Sequence, residues 1–201
     1  MISKRILAEM ALVGALALGP SLRDSVHADS SRLISFPLVA SNAAVSSCLP
    51  HATGSVVVIE RGVNERMLVQ VAGLLPNTGY DLFLTNQATP PFGPAWYQSD
   101  LETNSYGGGT AVVQGIFNHE TFMVSQGQGA AGNGITFPAV HTFNLGLWFN
   151  NPQDPFRTGC EPGKAAPVVT PFNGEQNAGI QVLRTQVIDP NNLQNGPLAN
   201  L

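Results

Sequence analysis

The stretch Gly73-Leu74-Leu75-Pro76-Asn77-Thr78-Gly79-Tyr80-Asp81-Leu82-Phe83 constrains the fold more than any other part of this chain. One alternating run, residues 67–72, leads into it, and a second, residues 80–85, leads out. Alternation marks half-buried strands, because successive side chains of a strand point to opposite faces. Between the runs, Leu74, Pro76 and Tyr80 combine a proline that fixes the turn with a tyrosine whose hydroxyl can reach back to the main chain upstream. Such a link ties two parts of a β structure together. It specifies architecture and carries no chemistry of its own.

The composition agrees with a β architecture. Charged residues are 11% of the 201, against ~25% in an average soluble domain. The 21 Gly and 15 Pro suit short strands joined by many turns. Beyond residues 55–60, 67–72 and 80–85, strands are expected at 97–102, 110–117, 119–124, within 136–149 and at 180–188. Residues 55–60 with 67–72 read as one hairpin, and 97–102 with 110–117 as a second. In the clearest strand, His141, Phe143, Leu145, Leu147 and Phe149 share the core face, with Thr142, Asn144, Gly146 and Trp148 opposite. The expected class is all-β: a two-sheet antiparallel β-sandwich of seven or eight strands, with a closed barrel as the alternative.

The ends read differently. Lys4 and Arg5, an apolar run over 6–19 broken by Glu9, and Val26-His27-Ala28 before Asp29 form the three regions of a secretory signal peptide spanning 1–28. The alternative is a retained N-terminal anchor or amphipathic helix. The run is too short for a membrane span, which needs about 20 apolar residues, so the mature chain is expected to be secreted or cell-surface, without a membrane span. Residues 29–47 are Ser- and Ala-rich and are expected to be loosely held. The sandwich domain is expected over 48–189, and the Asn-rich stretch 190–201 as a flexible tail. In an exported chain, the only two cysteines, Cys48 and Cys160, are expected to form one disulfide. Val45-Ser46-Ser47-Cys48 also loosely resembles a lipoprotein lipobox, which would lipidate Cys48 instead, but it lies far beyond the apolar run.

At the corner, Leu74, Pro76, Thr78 and Tyr80 match a pattern that resembles the tyrosine corner of fibronectin type III and related immunoglobulin-like modules. The resemblance covers about a dozen residues and implies an immunoglobulin-like sandwich. Only two clear strands precede the corner, so a variant topology is implied. More widely, Gly73 to Phe83, Trp96-Tyr97-Gln98-Ser99-Asp100 with Thr103-Asn104, His141 to Phe149, and Pro171-Phe172-Asn173-Gly174-Glu175 with Asn177-Ala178-Gly179-Ile180 are similar to segments of a group of secreted bacterial proteins of unassigned activity.

Candidate chemistry is sparse. A net charge of −4 and nine scattered Lys and Arg exclude a basic nucleic-acid face. Gly127-Gln128-Gly129-Ala130-Ala131-Gly132 satisfies a dinucleotide fingerprint literally, but Asn133-Gly134 and Phe137-Pro138 follow where the helix must start. No cofactor is expected. His119, Glu120 and His141 are the candidate metal ligands, although no two histidines have ligand spacing. No nucleophile elbow is present, and Asp100 with Glu102 reads as an exposed strand face. Trp96 and Tyr97, after the Pro-rich loop 89–94, can stack on a sugar or anchor in a protein pocket, with Asp100 beside them. The expected function is a non-enzymatic binding or structural module for an unknown extracellular ligand, glycan or protein. The alternative is a secreted hydrolase or metal-dependent enzyme around His119, Glu120 and His141.

Overall fold

A computed structural model describes residues 32–62, 64–117, 141–171 and 177–201. Among these residues ten strands and three short helical turns follow in chain order: β1 (Leu33–Ala40), α1 (Ala43–Cys48), β2 (Thr53–Glu60), β3 (Glu65–Ala72), β4 (Gly79–Thr85), β5 (Ala95–Glu102), β6 (Gly109–Gly115), β7 (Asn144–Phe149), α2 (Gln153–Arg157), β8 (Thr170–Pro171), β9 (Asn177–Ala178), β10 (Gln181–Thr185) and a 3-10 turn (Pro197–Asn200). Eight strands pair in the order β5-β4-β7-β10-β1-β2-β3-β6, while β8 and β9 form a separate two-stranded ribbon. Every pairing is antiparallel.

The all-β antiparallel class is therefore present. The hydrogen bonds run through one large sheet, whose outermost strands β5 and β6 approach each other at a bridge between Thr103 and Gly109. The sheet curls almost into a barrel. Its two halves enclose one core, with Leu82, Leu84, Leu145 and Leu147 from one side meeting Val56, Val58, Met67 and Val69 from the other.

The first expected hairpin forms as β2 and β3, paired from Thr53 with Ala72 to Glu60 with Glu65. The second does not. After their shared turn, β5 pairs with β4 and β6 pairs with β3, so the two strands diverge to opposite edges. The corner directs this divergence. The Leu75 amide donates to the Tyr80 hydroxyl at 3.1 Å, and the Thr103 hydroxyl donates to the Leu75 carbonyl at 2.6 Å. The Thr78 amide also donates to the Thr103 hydroxyl, at 3.0 Å. Gly107 packs so closely beneath Leu74 that a β-carbon there would lie 2.1 Å from the Leu74 carbonyl oxygen, and its φ is +73°. The Tyr80 ring is buried against Phe149, and that burial raises its hydroxyl pKa.

Two expectations for the ends are corrected. Within 29–47, residues 33–40 form β1, which lies between β10 and β2. Ile34, Phe36 and Leu38 supply its apolar positions. Pro37 is accommodated because the ladder to β10 starts only at Leu38. Asn42 then caps α1, its side-chain oxygen accepting from the amides of Ala44 and Val45. At the other end, residues 190–201 are anchored: Leu198 is fully buried and its amide donates to the Phe143 carbonyl at 3.2 Å. The apolar side chains needed for docking are few, and their partners lie far away in sequence. The leader expected at 1–28, the strand expected at 119–124 and the glycine-rich run 126–134 lie outside the described residues.

Cys48 and Cys160 are disulfide-bonded, with Cα atoms 5.1 Å apart and 112 residues of sequence separation. The bond joins the end of α1 to the segment after α2, which leads into Val168 and Thr170.

Candidate functional site

Residues directly opposite one another in an antiparallel sheet share a face. On the outer face, one such row runs across four strands: Asp100 of β5, Asp81 of β4, Trp148 of β7 and Gln181 of β10. The next row is Tyr97, Phe83, Gly146 and Arg184. Both rows sit outside the core, because Tyr80, Leu82, Leu84, Leu145, Leu147 and Phe149 occupy the inner face of β4 and β7. The outer side chains of the middle strands are nevertheless buried: Asp81 is 1% exposed, Trp148 4% and Gln181 7%.

Three features bury them. The β4–β5 loop folds back on itself, the Gln87 amide bonding the Phe92 carbonyl and the Asn86 amide the Pro94 carbonyl. It includes a cis peptide between Pro90 and Pro91, and it sets the Phe92 ring edge-on to Trp148 at 5.0 Å. Phe83 meets Trp148 edge-on at 5.4 Å and Tyr97 at 5.7 Å. The segment from Glu161 to Thr170 forms the far wall, braced where Glu161 accepts from the Val168 amide at 2.8 Å and Thr170 donates to the Gly179 carbonyl at 2.8 Å. Gly146 makes the close packing possible: a β-carbon there would lie 2.4 Å from Cζ3 of Trp148 and 2.5 Å from Nε2 of Gln181.

Two hollows flank the indole. One, of about 210 Å³, is lined by Phe83, Phe92, Ala95, Trp148 and Thr170. The other, of about 300 Å³, is lined by Asn42, Phe92, Trp148, Val168, Thr170 and Gln181. Beneath them, Trp148 Nε1, Gln181 Nε2 and Asp81 Oδ2 are buried without a hydrogen-bond partner among the described residues. The three belong to one row. Buried polar groups are satisfied almost everywhere in folded proteins, so three in register call for an explanation.

Asp81 and Asp100 face each other across β4 and β5. Between two ionised carboxylates there is no donor, so Asp81 Oδ2 is satisfied only when one of the pair holds a proton. Burial, then the charge and hydrogen bonding of Asp100, push Asp81 up to about 6, while the Asn150 amide, donating at 3.1 Å, pulls it back in part. Tyr97 donates to Asp100 Oδ1 at 2.7 Å. Burial and this bond to Asp100 raise its phenol pKa.

The sequence-derived candidates divide. Tyr97 and Asp100 lie on the two rows. Trp96 falls one position off them, opposite Leu84, at 39% exposure. Asp100 is joined to Asp81, while Glu102 stands opposite Gly79. His119 and Glu120 lie outside the described residues. His141 is not on the core face as alternation implied: pairing of β7 begins at Asn144, and His141 is exposed with its ring stacked on Phe143 at 5.0 Å. Among the described residues no group of three or more metal-ligating side chains occurs. A further hollow of about 430 Å³ beside His141 is lined by amides including Asn86, Asn192 and Gln194; none of the three unpartnered atoms of the row lies on residues lining it.

Sequence reasoning missed Asp81, Phe92, Trp148 and Gln181. The only local signal was that Gly146 and Trp148 alternate with core positions, and that a lone acid interrupts the apolar run of β4. No helix among the described residues is long and apolar enough to cross a membrane. No protein-family model matches this chain, and comparison with curated proteins finds no match.

Proposed function

We propose that this chain is an exported, extracellular or cell-surface binding module without catalytic activity, and that its ligand occupies the outer-face recess around Trp148. One observation carries the reading: a row of buried polar atoms, unpartnered among the described residues, beneath an aromatic cover on interior strands of the sheet. Rigid strands hold such groups in fixed geometry, which favours recognition. The acid pair does not argue for hydrolysis. Glycosidase carboxyls stand about 5 Å or more apart across the scissile bond, whereas Asp81 and Asp100 stand directly opposite each other on adjacent strands, with no room for a substrate between them. The disulfide suits an oxidising compartment. The two facing halves of the curled sheet, with the Tyr80 link between strands, support an immunoglobulin-like sandwich of variant topology.

The test uses the full chain expressed with its own leader. Export with processing after residue 28, and no turnover of chromogenic esters, phosphate esters or glycosides, are expected. Turnover abolished by Asp81→Asn would replace this reading with an enzymatic one.

A further inference from the structure

We propose that the row Asp81–Trp148–Gln181 recognises a neutral sugar; this rests on the binding-module reading above and names its ligand class. Among the described residues Trp148 Nε1 and Gln181 Nε2 are donors without acceptors, and Asp81 Oδ2 is an acceptor without a donor once both carboxylates of its pair with Asp100 are ionised. They stand on three adjacent strands. Strand spacing of roughly 4.8 Å makes the row about 10 Å long, the scale of one or two sugar rings.

The ligand must therefore offer acceptors and a donor at close spacing. A hydroxyl group does both. An anion meets the Asp81–Asp100 pair. A cation leaves the two N–H groups facing positive charge, and an apolar ligand leaves all three atoms unpaired in a dry site, which is costly for each. A peptide also carries both kinds of group, but β4, β7 and β10 are interior strands of the sheet with their ladders filled, so strand addition, the usual route for an extended peptide, is closed. The walls complete the match. Phe83, Phe92 and Trp148 present aromatic surface to hollows of about 210 and 300 Å³, suited to the C–H faces of sugar rings.

The experiment uses the full, disulfide-bonded chain carrying Trp96→Phe, so that Trp148 is the sole tryptophan and its emission reports the site. Cellobiose, maltose and diacetylchitobiose are titrated beside glucuronate, glucosamine and a blocked trialanine. A saturable emission change with at least one neutral disaccharide, roughly tenfold stronger than with either charged sugar, is expected. Gln181→Leu, which removes one donor, and Asp81→Asn, which replaces an acceptor, should each weaken binding roughly tenfold with the fold intact by circular dichroism. Should Gln181→Leu fail to fold, Asp81→Asn alone gives the reading. Unchanged affinity in the folded variants would overturn the row as the site. Binding of trialanine or a charged sugar with the neutral sugars silent would overturn the sugar assignment and leave the binding module standing. Silence of every probe up to about 50 mM, beyond the millimolar range of weak ligands, would overturn both.

Discussion

Strands β3 and β7 have the same kind of inner face and opposite outer faces. In β3, Met67, Val69 and Val71 are buried while Arg66, Gln70 and Ala72 are exposed. In β7 every residue from Asn144 to Phe149 is buried. One half of the curled sheet, β1-β2-β3-β6, meets solvent with its outer side; the other, β5-β4-β7-β10, carries a second layer made of the 86–94 loop and the Glu161–Thr170 segment. A sheet needs only one dry face to fold. Drying the second face with polar groups still on it adds cost, and that cost marks where binding is expected.

The comparison is most sharply broken by adding the same side chain to both faces. Gly146→Val pushes into Trp148 and Gln181 and should destabilise by about 2–3 kcal/mol in denaturant unfolding, with a shift in Trp148 emission. Ala72→Val, exposed on β3, should change stability by less than about 0.5 kcal/mol. Equal effects would mean that the covered face is not tightly packed.

A comparable effect is expected from the brace on the covered side. Replacing Cys48 and Cys160 together by Ala removes a link closing a 112-residue separation and should cost about 2–4 kcal/mol. Because Asn42, the cap of α1, and Val168 and Thr170, which follow Cys160, line the hollow of about 300 Å³ beside the indole, Trp148 emission should change as well. An unaltered emission spectrum in the folded double variant would show that the recess does not depend on the brace.

The smallest effect separates the halves by pH. Asp81 rises from 3.8 to about 6 on folding, so the folded chain holds its proton longer than the unfolded one. The stability gained from that proton is complete below pH 4 and is lost as pH rises through 6. The exposure of Asp100 reduces the effect to about 1–2 kcal/mol. Asp81→Asn should flatten unfolding free energy between pH 4 and 6 and stabilise the chain at pH 7. An undiminished slope in that variant would assign the titration elsewhere.

What was legible followed local patterns. The alternation of β2 and β3, the turn from Leu74 to Tyr80, the inner face of β7 and the cysteine pair could all be read directly. The outer row could not, because Asp81, Trp148 and Gln181 come from strands far apart in sequence and no local period encodes their register. The same holds for β1, whose Ile34, Phe36 and Leu38 form too short a pattern, and for Leu198, a single anchor in a polar tail. His141 shows the converse: its alternation was real in sequence but continued past the point where the ladder ends.

The bridge between Thr103 and Gly109 bears on how copies of this chain can meet. An open sheet offers two rows of unpaired main-chain groups, each a template for a neighbouring molecule. Here the turn after β5 holds the two rims together at that one bridge, and the edges of β5 and β6 run on unpaired with each other from it toward Ala95 and Gly115. Among the described residues the rims beyond that bridge keep main-chain groups open to a neighbouring copy, so growth of the sheet from molecule to molecule would start at the ends near Ala95 and Gly115.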